Sequence, residues 1–139
     1  MPKIEPMFLF DRQCEEALNV YKKAFNGEVV VMIRFSEAVD VNEFKLESEA
    51  DKNLIYHAQM IIGSQRILLA DNLFNSYISK GTSSMYPVMI FEDAKQVEQA
   101  FDILKEGAKV INPISSTSYS SCVTTFIDKF GIHWDMMVG

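Results

Sequence analysis

The chain has two histidines, and imidazole is the side chain best matched to proton transfer near neutral pH. His57 lies in a run, Tyr56 to Ile62, whose alternation places His57, Gln59 and Ile61 on one strand face and Tyr56, Ala58, Met60 and Ile62 on the other. A second alternating run, Ile132 to Val138, puts His133, Asp135 and Met137 on one face and Ile132, Trp134 and Met136 on the opposite one. His57, Gln59, His133 and Asp135 are thus the polar candidates for a site. His57 is either an acid–base group or a hydrogen-bonded strand histidine. His133 and Asp135, two residues apart and about 7 Å apart along a strand, could act as an orienting pair or remain separate solvated groups. If His57, His133 and Asp135 converge, they form a three-ligand metal site.

Other side chains carry weaker chemistry. Arg34 sits on a valine-rich strand, where its fork of donors could anchor a ligand carboxylate or phosphate, or pair with a nearby acid. Tyr119, like Trp134 and the many Phe and Met residues, could wall an apolar pocket. Cys14 and Cys122 are far apart and lack Cys-x-x-Cys spacing; without an adjacent cation to lower a thiol pKa they are read as packing groups.

The elements that must position these groups follow from periodicity. Met7 to Phe10 is a short apolar strand. Cys14, Ala17, Leu18, Tyr21, Ala24 and Phe25 then follow helical spacing, with Asp11 as the expected N-cap and Gly27 as the stop. Glu28 to Phe35 reads as a strand, and Glu37 to Asn53 as an acidic loop, expected to be a mobile flap at the mouth of a site. Leu54 to Ile62 and Gln65 to Ala70 form a hairpin through Gly63-Ser64. The polar stretch 71–84 reads as a linker.

Beyond that linker the opening pattern returns. Tyr86 to Phe91 is a strand, Asp93 an N-cap with Gln96 in the capping-box position, and Ala94, Val97, Ala100, Phe101 and Leu104 one helical face ending near Gly107. Cys14, Ala17, Tyr21, Ala24 and Gly27 match Ala94, Val97, Phe101, Leu104 and Gly107 at one constant offset, the mark of an internal repeat. Lys109 to Asn112, Tyr119 to Ile127 and Ile132 to Val138 supply three more strands. Each half therefore reads β-α-β-β-β, giving modules 1–70 and 85–139 of one α+β domain spanning 1–139.

Composition narrows the function classes. The 139 residues are 48% hydrophobic and 23% charged, which is globular rather than disordered composition. A formal net charge of −6 argues against nucleic-acid or anionic-membrane partners, which need a basic face. No stretch is long and apolar enough for a signal peptide or a membrane span, so a cytoplasmic protein is expected.

Phe8-Leu9-Phe10-Asp11, Cys14-Glu15-Glu16-Ala17 with Tyr21, His57-Ala58, and Asp128-Lys129-Phe130-Gly131 with Trp134 resemble, in order and spacing, the PhnB-like branch of the glyoxalase, bleomycin-resistance and extradiol-dioxygenase (vicinal-oxygen-chelate) superfamily. The resemblance implies two βαβββ modules whose curled mixed sheets enclose a cleft, commonly in a homodimer. It also implies that metal-dependent members draw His, Glu or Gln ligands from the first and last strand of each module. Here those strands offer Met7, Phe8 and Leu9; Leu68, Leu69 and Ala70; Pro87, Val88 and Met89; and a single donor, Asp135. Stable sites need about three protein ligands, so no metal site and no cofactor is expected, a divalent ion through His57 and Asp135 being the alternative. The branch is often labelled a demethylubiquinone methyltransferase, but the chain has no Gly-x-Gly of the kind that usually cradles S-adenosylmethionine.

Two readings of function follow. One is a metal-free protein that binds a small molecule through His57, Gln59, Arg34, Tyr119 and Asp135. The other is a glyoxalase-like lyase, isomerase or dioxygenase using His57, His133 and Asp135 with a metal or as acid–base groups.

Overall fold

A computed structural model describes residues 1–38, 48–73 and 84–139. The chain divides into two compact units, Met1–Ile78 and Ser79–Gly139. In the first, the order is β1 (Met7–Phe10), α1 (Cys14–Phe25), β2 (Glu28–Arg34), α2 (Glu49–Lys52), β3 (Ile55–Ile62) and β4 (Gln65–Asp71), with a 3-10 turn at Phe35–Glu37. The second repeats it as β5 (Val88–Phe91), α3 (Ala94–Leu104), β6 (Lys109–Ser115), β7 (Val123–Ile127) and β8 (His133–Val138). The sheets run β1-β4-β3-β2 and β5-β8-β7-β6, each with one parallel pair, β1 with β4 and β5 with β8. The repeated strand–helix–three-strand order read from the sequence is thus observed in both units.

Strand alternation sets the core of each unit. In the first, Phe8, Phe10, Ala58, Met60, Ile67 and Leu69 are buried and share the helix side with Ala17, Leu18 and Tyr21 of α1. In the second, Phe126, Trp134 and Met136 do the same beneath Val97, Ala100 and Leu104 of α3. The opposite, helix-free faces carry the alternate residues.

The helix ends correct two sequence expectations. Asp11 does not cap α1: the N-cap is Gln13, whose side chain makes no capping bond, while Asp71 Oδ1 accepts from Cys14 N at 2.9 Å. Asp71 Oδ2 also accepts from Ile55 N at 2.9 Å, so a residue assigned to the linker is a buried clasp between α1 and β3. Burial raises the Asp71 pKa, against the opposing pull of those two amides. At the other end Asn26, not Gly27, takes the left-handed conformation (φ 53°). Gly27 is required for closeness instead, since a Cβ there would meet Met60 Sδ at 2.6 Å. By contrast Asp93 caps α3 as read, its Oδ1 accepting from Gln96 N, while the Gln96 side chain accepts from Glu92 N rather than closing a capping box on the Asp93 amide.

The Glu37 to Asn53 segment holds one described helical turn, α2, with Ser48 as N-cap and Asp51 paired to Arg12 at 2.6 Å. The flap expectation falls on residues 39–47, outside the described residues, as does most of the linker. No helix among the described residues is long and apolar enough to cross a membrane.

Candidate functional site

On the helix-free face of the first sheet, His57 and Gln59 project from β3 and Arg66 from β4. Arg66 Nη1 donates to Gln59 Oε1 over 3.4 Å, which turns the Gln59 amide nitrogen toward His57 Nε2 at 3.0 Å. With the amide as donor, His57 Nε2 accepts and its ring proton sits on Nδ1. Arg66 also lies 3.6 Å from Glu5, which Lys3 approaches at 3.0 Å. Around this string the face is apolar: Met7 is 46% and Leu9 37% exposed, and Leu68 stands opposite both Met7 and Gln59.

The helix-free face of the second sheet carries His133 and Asp135 on β8. Their Nε2 and Oδ1 atoms are 3.9 Å apart, too far for a hydrogen bond, and each of these atoms is buried without a hydrogen-bond partner. The ring of Tyr86 lies flat on the His133 imidazole, centroids 3.9 Å apart and planes 6° from parallel, which fixes the ring plane. Asp135 is flanked in register by Val88 and Thr125, and His133 faces Ile127.

The remaining sequence candidates lie elsewhere. Arg34 spends its fork on the protein: Nη2 and Nη1 reach the two Glu15 oxygens at 2.6 and 3.1 Å, and Nη1 also donates to Asn53 O at 2.6 Å. That pairing holds the Glu15 carboxyl below its ordinary pKa and raises the guanidinium's. Arg34 opposes the fully buried Ile55, on the helix side of the sheet. Tyr119 is 66% exposed in a turn before β7, where Thr117 Oγ1 accepts from its backbone amide. Burial raises both thiol pKa values, at Cys14 and at Cys122, as packing groups require. Arg66 and Glu5 were missed by the sequence reading. The alternation of Arg66 with the buried Ile67 was the available signal, but a charged residue next to the Gly63-Ser64 turn is equally what ordinary hairpin polarity gives.

The residues of the metal-bearing positions can now be paired by register. On the helix-free faces Met7 stands beside Leu68, Leu9 beside Ala70, Val88 beside Asp135 and Ile90 beside Met137. One carboxylate among thioethers and hydrocarbons does not fit a divalent ion. Among the described residues no group of three His, Cys, Asp or Glu side chains is placed to hold a metal.

A strand–helix–three-strand unit repeated twice, each sheet with one parallel pair, is the topology of a vicinal-oxygen-chelate type of domain, although the metal donors are missing here. Residues 3–136 match the Glyoxalase/Bleomycin resistance protein/Dioxygenase superfamily, and the chain belongs to it. Among solved structures it is similar to protein PA1353 from Pseudomonas aeruginosa, at 24% identity and a TM-score of 0.84, over 99% of this chain and 98% of that one. It is also similar to a putative 3-demethylubiquinone-9 3-methyltransferase, PhnB protein, from Bacillus cereus: 19% identity, TM-score 0.79, 99% and 100% coverage. The fosfomycin resistance protein FosX from Listeria monocytogenes is more distant, at 10% identity and TM-score 0.65, over 100% and 93%. At these identities the likeness is one of fold. No curated protein matches the sequence significantly.

Proposed function

We propose that the chain is a PhnB-like member of the superfamily that binds a small molecule on the helix-free faces of its sheets without the superfamily's metal centre. The observation that carries this is the register of the ligand-bearing strands, where Asp135 is the single oxygen donor among Met7, Leu68, Val88 and Asp135. Exposed apolar side chains interrupted by a few polar groups support it, because small-molecule sites combine apolar area with sparse orienting contacts. The enzymatic alternative draws on the ordered His57–Gln59–Arg66 string, which holds the imidazole on one face. Assembly as a homodimer is part of the same reading, supported by exposed Val110, Ile111 and Ile114 on the outer strand β6.

Thermal-shift screening tests the proposal, since a ligand of the folded state raises apparent stability. Stabilisation by organic compounds that persists in chelator, with none from Zn, Ni, Mn or Fe salts alone, is the expected result. Stabilisation that requires one of those metals would overturn it.

A further inference from the structure

We propose that His133 and Asp135 form an acceptor pair for a protonated primary amine carried on an apolar body, a ligand class that deepens, and rests on, the small-molecule reading above. Two observations converge. Buried polar atoms in native proteins are almost always hydrogen-bonded, and an orphaned pair calls for a missing partner. His133 Nε2 and Asp135 Oδ1 are both orphaned, 3.9 Å apart. A nitrogen at about 2.9 Å from each subtends roughly 85°, within reach of two N–H bonds of one ammonium group. Asp135 supplies the countercharge, and the neutral imidazole supplies a lone pair when its proton is on Nδ1.

The second observation is the surface beside the pair. Val88 stands next to Asp135 and Ile90 next to Met137 in the β5–β8 ladder, and the two are 46% and 60% exposed. They form an apolar shelf running away from the carboxylate, which suits a hydrocarbon or aromatic body with its ammonium seated between His133 and Asp135. The two side chains retain 17% and 18% exposure, so the pair lies close to the surface although its facing atoms are buried. Tyr86 fixes the imidazole plane, which presents its in-plane lone pair in one direction. A carboxylate ligand would meet Asp135 with like charge. An alcohol would lose the charge-assisted bond.

The chain's two histidines make the test compact, with His133 as reporter and His57 as internal control. Benzylamine, benzyl alcohol and benzoate are titrated separately while the imidazole ring resonances are followed by carbon–proton NMR, assigned with His57→Gln and His133→Gln. Benzylamine should shift His133 saturably, with benzyl alcohol about tenfold weaker or more, benzoate silent, and His57 unmoved. Asp135→Asn should abolish the benzylamine response. Should that variant misfold, contacts between the benzylamine methylene and the Val88 and Ile90 methyl groups in the unaltered protein decide the matter, and their absence overturns the proposal. Equal shifts from all three probes would overturn the ammonium site while leaving small-molecule binding standing. No shift from any probe would overturn it too, and only a concurrent failure of the thermal-shift screen would remove the wider reading.

Discussion

Replacing Asp128 should destabilise the second unit in a graded way. The residue is 4% exposed. Its Oδ1 accepts from Phe130 N at 2.9 Å and Ile132 N at 3.0 Å, and its Oδ2 accepts from Trp134 Nε1 at 2.9 Å. Asp128→Ala strands all three donors. At about 1–3 kcal/mol for each deserted buried donor, and with water able to re-enter near Ile132, the total is about 3–5 kcal/mol. Asp128→Asn keeps the Oδ1 contacts but sets an amide N–H against the indole N–H, at a cost of about 1–3 kcal/mol. Against a usual total stability of about 5–15 kcal/mol these are large effects. Trp134 is the only tryptophan, so its fluorescence during urea unfolding reads the affected site directly. The midpoint should fall from wild type to Asn to Ala with little change in slope. An Asn variant within about 0.5 kcal/mol of wild type, or one worse than Ala, would refute this account of the turn.

Other perturbations have equally definite outcomes. Because Arg34 lowers the Glu15 pKa, the carboxylate stabilises the fold above its unfolded value near 4.5 and loses that contribution as pH falls through the lower folded value. Glu15→Gln should therefore cost about 0.5–1 kcal/mol at pH 7, screened because the carboxylate is half exposed, and the two proteins should converge in stability in acid. Burial raises the Cys14 thiol pKa, so in a Cys122→Ser background an aromatic disulfide reagent at pH 8 should label it only at the rate of unfolding; prompt labelling of the native protein would contradict its burial. Sedimentation at micromolar concentration should show a homodimer, and a monomer would count against that assembly.

Much of the fold was legible because its signals are local. Helical spacing from Cys14 to Phe25 and the Asp93 N-cap depend on residues close in sequence, and the constant offset between the two helices compares two such local patterns. What escaped depends on distant partners. Asp71, followed by Asn72, reads as the start of a polar linker, yet its carboxylate caps a helix 57 residues earlier. Tyr119 was assigned to a strand that begins only at Val123. The intervening Ser120 hydroxyl donates toward the carbonyls of Cys122 and Val138, and its backbone closes a turn with Thr117. For the candidate site, alternation alone put His57 with Gln59 and His133 with Asp135. It could not show that Arg34 is consumed by Glu15 or that Arg66 orders Gln59, because both depend on neighbouring elements. The Asp128 to Gly131 motif that carried the family resemblance proves to be a hydrogen-bonded turn clasping Trp134, so that part of the signature records folding rather than chemistry.

Elemental analysis of the purified protein, before and after dialysis against Zn, Ni, Mn and Fe salts in turn, tests the central claim most directly. The donor-poor strands predict far less than one equivalent of any of them under every condition. Near-stoichiometric metal that survives dialysis and disappears on substitution of His57 or Asp135 would contradict it.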